Sequence, residues 1–218
     1  MNTLTSLENE SLKNFKVCVI GCGGIGGYVI EMLGRIGIGN LTCVDGDKFD
    51  ETNLNRQLYS DECSLNLSKA IRAKERMAKV NSLITVKPVE KNITEENAVE
   101  ILKGHDVVID ALDNIKTRLL LEDVCENLKI PLVSGAIGGW YAQLTTIFPG
   151  DRTLHKIFKN EAELGIEKKL GNPSFTPALT ASIQVSEAVK VLLRRGETLS
   201  KKLLFIDLLT NEYDIIEI

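Results

Sequence analysis

The side chains of this sequence that could do chemistry are charged residues that follow short apolar segments. Arg56 lies near the end of the polar loop DGDKFDETNLNRQ, and Lys69 comes thirteen residues later, in the first turn of a predicted helix. A cation there opposes the helix dipole by roughly 0.3–1 kcal/mol, so a bound phosphate gives a physical reason for its presence. Asp113, in the segment DALDN, has the oxygen ligands that Mg²⁺ prefers. Together these residues offer the fixed positive charge and the divalent ion that cleavage of ATP between its α and β phosphates requires.

Each of these residues also has an ordinary structural interpretation. An arginine in a polar loop is often only a surface charge, and Asp113, just before a helix, has the residue type of an N-cap. Asp47 and Asp50 are typical of turns. Arg56, Lys69 and Asp113 nevertheless fall at one predicted edge of a sheet, which favours a phosphate site over three unrelated structural roles.

A glycine-rich loop precedes these charges. Gly21, Gly23 and Gly26 fit the pattern G-x-G-x-x-G between an apolar strand and a helix. One glycine allows the tight turn, one allows phosphate to approach the backbone, and one allows the helix to pack on the strand. Asp45 ends the next strand, 19 residues after Gly26, where a ribose hydroxyl would bind. This motif predicts a nucleotide or dinucleotide site and, taken alone, favours an NAD-dependent oxidoreductase.

Short apolar segments alternate with amphipathic ones along the first two thirds of the chain. Strands are predicted at 16–21, 41–44, 83–89, 106–111, 130–135 and 142–150. Helices are predicted after the glycine loop, after Ser68, and at 94–103 and 115–128. This alternation predicts an α/β fold of the Rossmann-like type, a mainly parallel sheet with helices on both faces.

The pattern changes after residue 150. Residues 151–173 mix charges with glycine and proline and predict a flexible crossover segment with one short helix. Thr176 is predicted to cap, and Pro177 to open, a helix that ends near Arg195. That helix is apolar on most sides, so we expect it to be buried in the core or in a subunit interface.

The last residues predict a C-terminal antiparallel extension. KLLFIDLLTNEYDIIEI is typical of a hairpin that turns near Thr210 and Asn211. The 218 residues therefore form a single predicted domain, with a nucleotide-binding part at 1–150, the crossover segment at 151–173 and a helix plus hairpin at 174–218.

Bulk properties exclude several classes of protein. A net charge of −4 argues against nucleic acid as a partner, and no apolar run approaches the length of a membrane span. The five cysteines include no C-x-x-C pair, which argues against a disulfide framework and a four-cysteine zinc site. No secretory signal opens the chain, so a cytoplasmic location is predicted.

Several quoted segments resemble a known family. GCGGIGGYVIEMLGRIGIGNLTCVDGDKFDETNLNRQ, SKA, VVIDALDN and IPLVSGAIGGWYAQLTTIFPG, with the late apolar helix, resemble the MoeB/ThiF/HesA adenylyltransferases, bacterial relatives of the ubiquitin-activating enzymes. The resemblance covers residues 12–218. Its most specific element is N-x-x-R-Q after V-D-x-D, which is far more restrictive than the glycine loop.

The resemblance implies a reaction. ATP and Mg²⁺ bind, the C-terminal Gly-Gly carboxylate of a small ubiquitin-like sulfur-carrier protein (ThiS/MoaD type) attacks the α-phosphate, and an acyl adenylate and pyrophosphate form. By position, the resemblance assigns the phosphates to Gly24, the ribose to Asp45, other nucleotide contacts to Asn53, Arg56 and Lys69, and Mg²⁺ and catalysis to Asp113. It also implies a homodimer.

Three features depart from the pattern of the family. Many relatives carry two C-x-x-C pairs for zinc and this chain has none, so we expect no zinc site. Residues 151–173 contain no cysteine, so we expect adenylation without an enzyme-bound thioester there. Many relatives also carry an N-terminal arginine for a neighbouring subunit's phosphate site. Here the first arginine is Arg35, so that role is missing, moved, or filled by Lys13 or Lys16.

Alternatives remain open from the residues alone. One is the NAD-dependent oxidoreductase, for which the sequence offers no convincing proton donor. Another is a ThiF-like enzyme that acts on a small molecule or a transfer-RNA nucleoside. A third is a nucleotide-binding scaffold without catalysis. Trp140 and Tyr141 also have two interpretations, lining a channel for a glycine tail or packing in the core.

Overall fold

Eight strands in the computed structural model, which describes residues 4–158 and 171–218, form one continuous sheet. The strands are β1 Lys16–Ile20, β2 Asn40–Val44, β3 Thr85–Val89, β4 Val107–Asp110, β5 Leu132–Gly138, β6 Tyr141–Ile147, β7 Lys202–Asp207 and β8 Glu212–Glu217. Their order in the sheet is β3-β2-β1-β4-β5-β6-β7-β8. The first five are parallel, and β6, β7 and β8 pair antiparallel. The predicted α/β fold with its antiparallel extension is confirmed.

Helices cover both faces of this sheet. Within the described residues they are α1 Ser6–Leu12, α2 Gly24–Ile36, α3 Lys69–Val80, α4 Ala98–Leu102, α5 Ile115–Leu128, α6 Thr153–Ile157 and α7 Phe175–Leu193. Two 3₁₀ turns, Glu51–Asn53 and Glu62–Ser64, lie between β2 and α3.

The core is divided by the sheet into two layers. Successive side chains of a strand point to opposite faces. Val17 and Val19 of β1 therefore pack in the layer of α2, α3 and α7, whereas Cys18 and Ile20 pack in the layer of α4, α5 and α6. Strands buried on both faces explain the uninterrupted apolar runs of the sequence.

The strand order places a crevice at a defined point of the sheet. From β1 the chain moves outward to β2 and β3, and it then crosses back so that β4 lies on the other side of β1. In such doubly wound sheets, ligands bind at the carboxyl ends of the strands where the order reverses. The glycine loop follows β1, Asp45 follows β2, and the DALDN segment follows β4.

The start of α3 agrees with its predicted cap. The Ser68 hydroxyl accepts from the backbone N–H of Ile71 at 3.4 Å. The sequence predicts one apolar stripe of four residues on this helix, of which Ala70, Ala73 and Met77 are fully buried and Val80 is half-buried. This cap fixes the residue that follows it, Lys69, at the edge of the crevice.

Removing this cap tests its contribution to stability. Replacing Ser68 with alanine should lower the free energy of unfolding by about 1 kcal/mol, because an N–H of the first turn loses its acceptor. Urea unfolding followed by circular dichroism measures the change. Ser186→Ala, at an exposed position inside α7, is the matched control and should not destabilise the protein. Equal midpoints for wild type and Ser68→Ala would contradict the capping role.

The long late helix differs from its prediction at its start. Ser174, not Thr176, is the N-cap residue, and α7 begins at Phe175. The hydroxyl of Thr176 is buried and donates to the backbone carbonyl of Gly139 at 2.8 Å. The predicted cap was wrong because this hydroxyl binds the β5–β6 turn instead of the N–H groups of its own helix. The helix ends at Leu193, with Arg194 in the left-handed conformation.

The buried face of α7 is also less apolar than predicted. Gln184 donates its amide to the backbone carbonyls of Asp110 at 2.7 Å and Val133 at 3.3 Å. Glu187 accepts from the hydroxyl of Thr146 and from the N–H of Leu199. Several apolar residues expected to be buried are instead only half-buried, namely Leu179, Ile183, Val189, Val191 and Leu193. This helix thus anchors the sheet through hydrogen bonds as well as through apolar contacts.

Other boundaries shift by a few residues. The helix predicted at 94–103 is the shorter α4, because 95–97 form a turn. The hairpin predicted near Thr210 and Asn211 is present between β7 and β8. Of the predicted crossover segment, residues 159–170 lie outside the described residues. No helix in the described ranges is long and apolar enough to span a bilayer. The single-domain division and the cytoplasmic location stay predictions.

Candidate nucleotide-binding site

A cavity of about 550 Å³ lies at the carboxyl edge of the sheet, at the predicted crevice. Its volume is in the range of small-molecule sites. Seven of the nine predicted site residues line it: Gly21, Gly23, Gly24, Asp45, Arg56, Lys69 and Asp113. The other two, Gly26 and Asn53, do not line it. The structure therefore brings together residues from four separate segments of the chain.

The glycine loop forms the floor of this cavity. Gly21 has a φ of +94°, a conformation that side chains disfavour. A Cβ at Gly26 would lie 1.8 Å from the carbonyl oxygen of Gly21, so Gly26 serves the packing of helix on strand. A Cβ at Gly24 would make only ordinary contacts with protein, 3.7 Å or more away, so the protein itself does not require glycine there. A ligand that approached the start of α2 closely would require glycine there.

Asp45 joins the glycine loop to the end of β2. Its carboxylate accepts from the N–H of Cys22 at 2.7 Å and from the N–H of Asp47 at 2.8 Å. Burial raises the pKa of this carboxyl, and the two backbone N–H donors and Lys69 oppose that shift. A carboxylate has about four acceptor positions, so two remain for the hydroxyls of a ribose.

Asn53 is buried and does not line the cavity. Its side-chain amide donates to the carboxylate of Asp50 at 3.0 Å, and its carbonyl accepts from the N–H of Asp50 at 3.3 Å. Asp50 also accepts from the N–H of Thr52, so it caps the 3₁₀ turn. The predicted turn role of Asp50 is confirmed. The predicted nucleotide contact of Asn53 stays a prediction, and the geometry gives Asn53 a role in shaping the loop.

Arg56 is held over the cavity by its own loop. Its Nη1 donates to the carbonyl of Thr52 at 2.8 Å and to the side chain of Asn55 at 2.9 Å. The structure shows no carboxylate paired with this guanidinium among the described residues. Since its remaining donors are uncommitted, Arg56 is oriented to bind an anion.

Lys69 is buried beside the cavity. Its Nζ lies 3.3 Å from the carboxylate of Asp47, and only 8% of the residue is exposed. Asp47, predicted only as a turn residue, therefore also orients this lysine. Asp47 itself is mostly exposed, so it does not remove Lys69 from reach of a ligand.

The DALDN segment contains two carboxylates, Asp110 and Asp113, which have different surroundings. Asn114, not Asp113, is the N-cap of α5 and accepts from the N–H of Thr117 at 3.1 Å. The capping interpretation of Asp113 is therefore wrong. Asp113 is exposed to the cavity and pairs with no described residue. It is a free carboxylate at the place where a divalent ion would meet the phosphates.

The neighbouring Asp110 is instead fully buried and paired. Its carboxylate lies 3.7 Å from the guanidinium of Arg118 and accepts from the hydroxyl of Ser134 and the N–H of Leu112. Arg118 donates to the carbonyl of Leu112 at 3.0 Å and to that of Gly135 at 2.8 Å. Both backbone groups of Leu112 are thus fixed, and with them the residue that follows, Asp113.

Sequence reasoning did not assign six further polar residues of the cavity. They are Gln57, Lys91, Asn92, Asn114, Thr117 and Asn172. Lys91 and Asn92 follow the end of β3, so the same strand-end rule that found Asp45 would have found them. Asn172, near the end of the predicted crossover segment, accepts from the N–H of Gly139 at 3.0 Å, a contact with no signal in the sequence. Trp140 and Tyr141 are exposed, so the core interpretation was wrong.

The donor set of the cavity fits a nucleoside triphosphate with Mg²⁺. A helix N-terminus, Arg56 and Lys69 supply positive charge, and Asp113 supplies one free oxygen ligand. Mg²⁺ is typically bound by one or two carboxylates together with the phosphates of its nucleotide. Within residues 4–158 and 171–218, no group of three or more histidine, cysteine or acidic side chains is arranged for a metal. The prediction of no zinc site stays a prediction.

The fold and the cavity define a class, the Rossmann-like α/β proteins with a nucleotide site at the switch point of the sheet. Within that class, the chain belongs to the ThiF family, whose model matches residues 2–218. The predicted resemblance is therefore confirmed.

Two curated relatives define the class of enzyme. The SAMP-activating enzyme E1 of Haloferax volcanii is 36% identical over 208 residues, which cover 94% of this chain and 77% of the relative. The molybdopterin-synthase adenylyltransferase of Haemophilus influenzae is 32% identical over 203 residues, which cover 91% of this chain and 83% of the relative. These similarities confirm the predicted enzyme class, an adenylyltransferase.

A solved structure supports the fold independently. The structure of E. coli MccB with ATP superposes with a TM-score of 0.84 at 23% identity and covers 97% of this chain. This chain spans 66% of that solved chain, slightly less than two thirds. At this identity the likeness shows the fold alone, and the ATP is a property of MccB.

Proposed function

We propose that this protein uses ATP and Mg²⁺ to adenylate the C-terminal Gly-Gly carboxylate of a small ubiquitin-like sulfur-carrier protein. The observation that supports this proposal is that one cavity brings together two of the predicted cations and an unpaired carboxylate. These are Arg56, Lys69 and Asp113, set around the N-terminus of α2. A site that only held a dinucleotide would not need a metal ligand beside its phosphates. The relatives named above support the same reaction type.

The proposed chemistry is a displacement at phosphorus. A carboxylate oxygen of the carrier forms a bond to the α-phosphorus of ATP, and the bond from that phosphorus to the bridging oxygen breaks. Pyrophosphate leaves with the electron pair. The carboxylate is already ionised at neutral pH, so no proton is transferred and no general base is required. This agrees with the residues that line the cavity, none of which, among those described, is a histidine.

The residues of the chain contribute position and charge. Arg56 and Lys69 bind the phosphates and offset the negative charge that grows on the leaving group. Asp45 binds the ribose and fixes the register of the nucleotide on β2. Asp113 would hold Mg²⁺, which, when bound, neutralises the phosphate oxygens and orients the α-phosphorus. Because the groups are fixed before the substrates bind, little reorganisation accompanies the reaction.

The assembly we propose is a homodimer in the cytoplasm. The N-terminal segment is relevant here, since the resemblance implies a cation from it in the phosphate site of the neighbouring subunit. Lys16 begins β1 and so lies at the amino edge of the sheet, opposite its own cavity. Any contact of Lys16 with a nucleotide would therefore be made in a second protomer. Light scattering of the purified protein measures the number of protomers.

ATP–pyrophosphate exchange tests the reaction. Labelled pyrophosphate should enter ATP only when Mg²⁺ and one small carrier ending in Gly-Gly are both present. A carrier whose last glycine is removed should support no exchange, because the attacking carboxylate is then misplaced. Tight binding of ATP without exchange on any carrier would contradict this proposal and would favour another substrate or a scaffold role.

Lys69 offers a test within the same assay. Replacing Lys69 with alanine should lower the exchange rate about 10- to 100-fold, since one fixed charge on the phosphates is lost. Lys79→Ala, at an exposed position of the same helix, is the matched control and should leave the rate unchanged. A similar rate for the two variants would place the phosphates elsewhere.

The alternative of an NAD-dependent oxidoreductase is not favoured by the cavity. Hydride transfer to or from a carbonyl needs a proton donor, for which histidine and tyrosine are the usual residues. Neither type lines the cavity among residues 4–158 and 171–218. The family relationship points away from it as well.

A further inference from the structure

One asparagine, which does not itself line the cavity, connects two residues that do. The side-chain carbonyl of Asn55 accepts from Nη1 of Arg56 at 2.9 Å, and its amide nitrogen donates to the backbone carbonyl of Asn172 at 3.2 Å. Asn55 and Asn172 are 117 residues apart in the chain. An asparagine that only formed a turn would bind backbone groups of its own loop. Asn55 instead joins a cation of the candidate site to a distant segment.

Asn172 continues this connection to the turn between β5 and β6. The backbone N–H of Gly139 donates to the side-chain carbonyl of Asn172 and to the backbone carbonyl of Gly171, both at 3.0 Å. The hydroxyl of Thr176 donates to the backbone carbonyl of Gly139 at 2.8 Å. Both polar groups of the Gly139 backbone are therefore bound by one short segment, so the turn and that segment are held together.

This unit, which we call the rim, comprises residues 139–140 and 171–176 and carries the single tryptophan of the chain. The Trp140 ring is 4.7 Å from that of Phe175, the first residue of α7, and Trp140 is 43% exposed. Trp140 does not line the cavity. A ligand in the cavity therefore affects this indole only through the protein.

The bonds of Asn55 set positions more than they stabilise the fold. Asn55 is exposed, so water can replace its partners and the fold does not depend on them. The Arg56 guanidinium, in contrast, is oriented by only two acceptors through its Nη1, the carbonyl of Thr52 and the side chain of Asn55. When an anion binds Arg56 and moves its guanidinium, one of the two groups that must adjust is also bonded to the rim. Continuous hydrogen-bond networks of this kind carry coupling between separate parts of a protein.

We propose that Asn55 is a positioning residue that couples the rim to Arg56, so that a phosphate ligand on Arg56 changes the surroundings of Trp140. Because coupling between two sites is reciprocal, the arrangement of the rim in turn changes the affinity of the cavity for phosphate. This inference rests on the proposed use of Arg56 to bind the phosphates of ATP.

The fluorescence of Trp140 tests this inference, since no other tryptophan contributes to the signal. In wild type, saturation with Mg²⁺ and a non-hydrolysable ATP analogue, without any carrier, should change the emission of Trp140. Adenosine should not change it, because adenosine has no phosphate for Arg56. In Asn55→Ala, calorimetry should show a dissociation constant of the analogue raised about 2- to 10-fold, since Arg56 loses one orienting bond. At saturation of this variant, the change in emission should be lost.

Controls separate this inference from the proposed function. Asn9→Ala, at an exposed position of α1, should respond as wild type does. Asn55→Ser, whose shorter side chain cannot make both contacts, is the second variant if Asn55→Ala does not fold. An emission change in saturated Asn55→Ala equal to that of wild type would overturn the coupling, and so would an equal response of wild type to adenosine. Wild type that binds the analogue in calorimetry without any change in emission would also overturn the coupling and leave the proposed function standing. Failure of wild type to bind the analogue would overturn both.

Discussion

Asp113→Asn is expected to lower the rate of carrier-dependent ATP–pyrophosphate exchange about 100-fold or more, with no loss of stability. The carboxylate is exposed to the cavity and pairs with no described residue, so the fold does not depend on its charge. Asparagine keeps its shape and one oxygen but removes the charge that would hold Mg²⁺. This variant should therefore lose exchange activity while its free energy of unfolding stays that of wild type.

The Mg²⁺ dependence of the rate makes this prediction specific. For Asp113→Asn, the Mg²⁺ concentration that gives half of the maximal rate should rise, because a neutral amide is a weaker ligand for a hard cation. Glu100→Gln, which changes an exposed acid on α4 that does not line the cavity, is the matched control and should behave as wild type. An Asp113→Asn enzyme with the wild-type rate and Mg²⁺ dependence would show that another group holds the metal.

The fold was largely predictable because it depends on periodicity. Strands buried on both faces produce apolar runs, and helices on a sheet produce stripes, so β1, β2, α3 and α5 were predicted within one or two residues. These signals are local. The register and the order of the strands depend on contacts far apart in the chain, so no local signal predicts them.

The two aspartates of the DALDN region show what local signals leave out. Asp110 and Asp113 have the same residue type, three positions apart, next to the same helix. One ends a strand and faces a buried arginine, whereas the other extends into the cavity. Nothing in their immediate sequence separates these roles, because the difference is set by Arg118 and by the partner strand β5. The same applies to Thr176, whose hydroxyl binds a turn 37 residues away instead of capping its helix.

Site residues were predictable only where a residue type is unusual for its position. A glycine loop, a cation in a first helical turn and an acid at a strand end all violate ordinary preferences, so they gave a signal. Asn172 violates none, since an asparagine is ordinary in loops. Its relevance becomes visible only in the structure, through its contact with Gly139 in the turn after β5.

The second prediction with a large expected effect concerns Arg118, the buried partner of Asp110. Arg118→Met should lower the free energy of unfolding by about 3–5 kcal/mol, because Asp110 is then a buried charge without its counter-ion. The side chains are 4% and 0% exposed, so water cannot replace the arginine. The carbonyls of Leu112 and Gly135 also lose their donor, which adds to the cost.

A double variant separates charge from packing in this prediction. Adding Asp110→Asn to Arg118→Met removes the uncompensated charge and should recover a large part of the lost stability, as measured by urea unfolding. Lys202→Met, which removes an exposed ion pair of 3.9 Å between β7 and β8, is the control and should change stability by less than about 0.5 kcal/mol. If the double variant is no more stable than Arg118→Met, the lost hydrogen bonds, and not the charge of Asp110, account for the effect.

In the folded fraction of Arg118→Met, exchange activity should also fall, since the peptide that carries Asp113 has lost the group that fixes it.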